Sequence, residues 1–83
     1  MNLKRGDLIL TVHVIYDHPA DYPEYFVVRE WAIAHGISTP VPGSDIVLAD
    51  TLKEARESIP KDRRNIGRDP KDDSKIVEMW VKR

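Results

Sequence analysis

A chain of 83 residues, 41% hydrophobic and 33% charged, has the composition of one small globular domain and excludes a disordered tail or a fibrous repeat. It contains no cysteine, which excludes disulfides and thiolate metal sites and fits a reducing cytoplasm. Its net charge of −1 excludes the strongly basic profile of a dedicated nucleic-acid domain.

The first predicted element is a strand over residues 8–16, and it is apolar on both faces. Leu8, Leu10, Val12, Val14 and Tyr16 alternate with Ile9, Thr11, His13 and Ile15. Lys4-Arg5 ahead of it has the outline of a signal peptide. The run is short, β-branched and interrupted by His13, and no small-residue cleavage site follows, so secretion is not expected. No segment reaches the roughly 20 apolar residues of a membrane span.

Residues 17–24 hold Pro19 and Pro23 and form a stiff loop. A second strand, Tyr25 to about Ala34, is again apolar on both sides and predicts an antiparallel hairpin with a long tip. Residues 35–44, with Gly36, Pro40, Pro42 and Gly43, are expected to be irregular. A short third strand follows at Asp45–Ala49. Thr51 and Glu54 then form a capping-box pattern for a helix of about eight residues that Pro60 ends. Leu52, Ala55, Arg56 and Ile59 share one face of that helix.

The segment 61–70 is polar and basic, with a brief strand expected at Asn65–Arg68. Asp69-Pro70 and Asp72-Asp73 mark a turn, and a last strand runs from Lys75 to Lys82. The order β-β-β-α-(β)-β predicts a single α+β domain over residues 1–83, with a mainly antiparallel sheet of four to five strands and one short helix on one face. One short helix covers one sheet face, so the other is expected to want a partner.

Charge is unevenly spread. Residues 1–60 carry five cations and nine anions, and residues 61–83 carry eight cations and five anions. Such a dipole orients self-association or attracts a phosphate backbone. Trp31, Trp80, His13 and Arg29 are the candidate partner-binding residues. With Ile9, Ile15, Ile76 and Glu78 they would form an amphipathic patch opposite the helix, of the aromatic-plus-arginine kind found at interfaces. The competing expectation is that the 35–44 loop folds over that face. The 17–24 loop would be a second contact surface.

Lys61, Arg63, Arg64 and Arg68 are the candidate nucleic-acid residues, with Asn65 able to reach a base edge. Asp62, Asp69, Asp72 and Asp73 interrupt this patch, and no aromatic residue interleaves with it. Two imidazoles and a carboxylate at His13, Asp17 and His18 are the nearest approach to a metal set, at a spacing that matches no known ligand signature. A relay of His35 with Ser44 or Asp45 has nothing to fix its geometry. No phosphate-cradling glycine loop is present, and neither a catalytic function nor a cofactor is expected.

The hairpin Tyr16-Asp17-His18-Pro19-Ala20-Asp21-Tyr22-Pro23 with Phe26-Val27-Val28-Arg29 resembles a motif of small uncharacterised bacterial proteins, some of prophage origin. Thr51-Leu52, Glu54-Ala55-Arg56, Ile59-Pro60, Arg68-Asp69-Pro70 and Ile76-Val77-Glu78-Met79-Trp80 fit the same likeness, which spans most of the chain. It implies a shared architecture and no known activity, so it assigns no site residue.

The leading expectation is a cytoplasmic protein-interaction module that forms a homodimer through an apolar sheet face or a strand edge. A nucleic-acid-binding accessory protein is the second reading, and a metal-dependent enzyme at His13, Asp17 and His18 the third.

Overall fold

The computed structural model describes residues 8–34, 41–68 and 74–82, with side-chain detail for all of these except residues 8–10, 34, 44 and 82. Along the chain come β1 (Leu8–Asp17), β2 (Phe26–Ala34), β3 (Val41–Ala49), α1 (Leu52–Glu57), β4 (Arg63–Gly67) and β5 (Ile76–Lys82). The strands form one five-stranded sheet in the order β3-β2-β1-β5-β4, and every neighbouring pair is antiparallel. The architecture is α+β. Among the described residues no helix is long and apolar enough to cross a membrane.

The double-sided apolar pattern of β1 follows from its place at the middle of the sheet. Four consecutive residues, Val12, His13, Val14 and Ile15, are all buried, so neighbouring side chains shield β1 on both faces. On the side away from α1 the accessible apolar area comes from the half-buried Tyr16, Trp31, Ile33 and Met79. β3 and β4 are the edges, so the chain between them must traverse the sheet, and α1 lies on this crossing. Ala55 and Ile59 press onto Ile15, Val28 and Ala49, with Phe26, Leu52, Val77 and Trp80 packed around them. These residues define the helix-covered face.

α1 is short, and its ends are defined by side chains. Thr51 Oγ1 accepts from the Glu54 amide at 3.1 Å, satisfying one of the donors a helix start leaves open. Glu54 reaches back to accept from the Asp50 amide at 3.3 Å, one residue earlier than a capping box would place it. The helix proper ends at Glu57, with Ser58 as its C-cap, ahead of Pro60.

The starts of two strands shift from their expected places. β3 begins at Val41 rather than Asp45, so residues 41–44 extend the sheet and do not fold over its open face. Pro42 is tolerated because β3 is an edge strand, with no strand paired to its outer side among the described residues. Gly43 passes so near Glu30 that a Cβ there would meet its atoms at 3.2–3.3 Å. Residues 35–40, and with them the rest of that expected loop, lie outside the described residues. β4 runs over Arg63–Gly67, two residues earlier at its start than expected. It breaks register with β5 between Asn65 and Gly67, where Gly67 takes φ +72° and its amide donates to Asn65 Oδ1 at 2.7 Å.

Candidate functional site

The site is built on the helix-covered face, where β1, β4 and β5 bring polar groups together beside α1. His13 stands opposite Glu30 of β2 and Trp80 of β5. Its Nε2 lies 3.4 Å from the Glu30 carboxylate, and its Nδ1 accepts from Arg63 Nε at 3.2 Å. Burial lowers the His13 pKa below the ordinary histidine value, and the neighbouring Arg63 guanidinium lowers it further. Glu30 and Asp62 pull in the opposite direction without reversing it. Arg63 is itself fixed from the other side by Asp62 at 3.1 Å.

Next to this pair Glu78 is buried, 4% exposed, and Arg56 of α1 grips it with two bonds. Nε donates at 3.0 Å and Nη2 at 2.8 Å, one to each carboxylate oxygen. The Trp80 indole N–H adds a third bond at 2.7 Å. The Arg56 hydrogen bonds hold the Glu78 carboxyl below its usual range against the opposing effect of burial, with smaller help from Trp80 and Asn65. Arg56 is held above its usual value by the same contact.

These fixed groups wall a cleft of about 550 Å³ between α1 and the β4–β5 hairpin. Lys53, Arg56, Lys61 and Arg63 supply four cations to its lining, against the single carboxylate of Glu57. Ile59, Pro60 and Trp80 supply its apolar part. The volume falls within the roughly 300–1,000 Å³ of small-molecule sites.

The opposite face is different in kind. Val12, Val14, Tyr16, Trp31, Ile33 and Met79 line a shallow, almost wholly apolar groove of about 350 Å³. A neighbouring hollow shares Tyr16 and Trp31 with it and continues to Arg29, Asp21 and Lys75. Arg29 and Asp21 are ion-paired there, which fastens the 17–24 loop to β2.

The four expected partner-binding residues are therefore not one patch. Val12 pairs with Trp31 of β2 and His13 with Trp80 of β5, so the two tryptophans stand opposite adjacent positions of β1 and point to opposite faces. Trp31 and Arg29 share the open face, while Trp80 and His13 lie on the helix side. Ile15 is in the core under α1, and the Ile9 side chain is outside the described residues.

The basic segment is also divided. Arg63 turns inward to His13, and Lys61 joins it at the cleft. Arg64 lies opposite Val81 on the other face, and Arg68 follows the end of β4 and is exposed. His13, Asp17 and His18 are not assembled into a ligand set. His18 bonds to its neighbour Asp17 and sets its ring against Phe26 at 4.9 Å, while His13 is engaged mid-strand by Glu30 and Arg63. Among the described residues no group of three or more His, Asp or Glu side chains could hold a metal ion. His35 and the Ser44 side chain lie outside the described residues.

The sequence does not point to Lys53, places Arg56 only on the packed helix face, and sets Glu78 only at the edge of a patch on the opposite side of the sheet from the helix. One signal was present: Arg56 shares the apolar helix face with Ala55 and Ile59, and a charge on a packed face needs a counter-charge opposite it. No family model, curated protein or solved structure matches this chain.

Proposed function

We infer that the protein is a small interaction module that acts by binding, and that it pairs with a second copy of itself through the open sheet face. The supporting observation is the apolar groove around Trp31, on the side of the sheet away from α1. An apolar floor with an aromatic anchor and a charged rim is how stable interfaces are made. The rim here carries Asp21 together with Arg29 and Lys75, so one patch offers both charge signs. A two-fold contact sets such a patch against itself, and because Arg29 and Asp21 already neutralise each other within the rim, two copies can meet there without strong like-charge repulsion.

The strand edges support this reading less. β3 carries Pro42 and a register shift, and β4 is only five residues long with Arg64 on it. Both are features that discourage edge-to-edge addition. Among the described residues the two buried ionisable groups, His13 and Glu78, are each engaged by an arginine, an arrangement typical of structural ion networks as well as of catalysis.

Sedimentation equilibrium or light scattering up to high micromolar concentration tests the reading. A dimer that Trp31→Glu converts to a folded monomer is expected. A wild-type monomer throughout that range overturns it.

A further inference from the structure

We propose that the cleft between α1 and the β4–β5 hairpin binds a nucleotide, holding its phosphate on the cations and its flat base beside Trp80. This goes beyond self-association and uses the other face of the sheet.

Charge comes first. The lining brings Lys53 and Arg56 from the helix, Lys61 from the turn after it, and Arg63 from β4. Four cationic side chains line one concavity; Arg56 and Arg63 are already paired with Glu78 and Asp62, so Lys53 and Lys61 carry the excess positive charge. A phosphate ester carries about −1.5 to −2 charges and three strong acceptor oxygens, which suits several cations at once.

Preorganisation comes second. Long cationic side chains ordinarily lose rotamer freedom when they close on an anion. Here the two guanidiniums are already held, Arg56 by both oxygens of Glu78 and Arg63 by His13 and Asp62. Arg56 gives Nε and one N–H of Nη2 to Glu78, and the N–H groups outside that pair, on Nη1 and Nη2, are the ones that would meet a phosphate oxygen. Lys53 and Lys61 are exposed and free to adjust as point charges.

The apolar wall comes third, and it decides the class of ligand. Ile59, Pro60 and the half-buried Trp80 face the same cleft. A bare phosphate or a sugar phosphate has nothing to place against them, whereas a nucleobase does, since aromatic stacking is tolerant of base identity. The same chemistry is offered by a free nucleotide or by a nucleotide within a single strand.

The full chain is titrated at low salt with inorganic phosphate, adenosine, adenosine monophosphate and a short single-stranded oligonucleotide, followed by calorimetry and by the Trp80 indole N–H resonance. Adenosine monophosphate is expected to bind more tightly than phosphate or adenosine and to shift that resonance. Lys53→Gln and Lys61→Gln, both at exposed positions, are each expected to weaken binding by about threefold to tenfold. Glu57→Gln removes the opposing carboxylate and is expected to tighten it, a gain that a merely structural role would not produce. Binding of the oligonucleotide alone, with the same response to these variants, supports the proposal and identifies the source as single-stranded nucleic acid. No binding of either nucleotide form, or binding that the three variants leave unchanged, overturns it. A monomeric protein that still binds the mononucleotide would separate this cleft from the fate of the dimer.

Discussion

Arg63, on edge strand β4, reaches past β5 and donates its Nε–H to His13 Nδ1 on central strand β1 at 3.2 Å. An arginine N–H can only donate, so Nδ1 must be unprotonated and the ring proton must sit on Nε2, facing Glu30. The fold is thereby built around a neutral His13.

That requirement sets an acid limit. The folded His13 pKa is lowered, so the unfolded chain takes up this proton first, near pH ~6.5. Stability is fully present above that value and is lost as pH falls through the folded pKa. Glu78, also lowered, adds a second loss beginning near pH ~4.3. Urea midpoints measured from pH 8 down to about pH 2 should decline in two steps, the Glu78 step below the ordinary glutamate range, and His13→Gln should flatten the upper one. A His13→Gln curve with the wild-type slope between pH 6.5 and 5 would remove His13 as its cause.

The Arg56–Glu78 pair should be asymmetric under mutation. Glu78→Gln leaves an exposed arginine that water can solvate, at a cost of about 1–3 kcal/mol. Arg56→Met leaves a buried carboxylate with only its Trp80 and Asn65 bonds, and should destabilise more. The double variant Arg56→Met with Glu78→Leu should recover part of that loss. Denaturant titration of the three variants gives the order directly, and equal losses for the two single variants would contradict it.

Gly67 and Thr51 test local geometry apart from packing. A Cβ at Gly67 would meet nothing within 4 Å, so the whole cost of Gly67→Ala comes from φ +72° and should be about 1 kcal/mol. Gly67→Asn should cost less, because asparagine accepts the left-handed region. Thr51→Ala removes the helix cap and should cost about 1 kcal/mol. Thermal melts distinguish these from Ile15→Ala, where the fully buried side chain predicts a loss of about 2–5 kcal/mol.

The first hairpin, the Thr51 cap and the final strand were legible because period-two apolar runs and capping residues act locally. The start of β3 was not, since Pro42 and Gly43 read as breakers until an edge position and a close neighbour explain them. Nor was the separation of Trp31 from Trp80. Each strand's alternation was clear, but their relative faces depend on whether Val12 or His13 is the partner, and one residue of register decides it. The cleft was hidden for a similar reason. Lys53 and Arg56 belong to the helix and Lys61 and Arg63 to the segment after it, and only the crossover turns a run of charges into a concave surface.

The strand order also divides the molecule into two consecutive blocks of chain, β1 through α1 and the β4–β5 hairpin, joined along a seam, the β1–β5 ladder, and cross-linked by Arg56–Glu78 and Arg63–His13. Partners across that seam, such as Val12 and Val81, come from opposite ends of the polypeptide, so zipping it carries the largest loop-closure cost in the fold. The C-terminal hairpin should accordingly dock last and detach first. Two copies opened at this seam could each accept the other's hairpin, giving an exchanged dimer that keeps every native strand pairing.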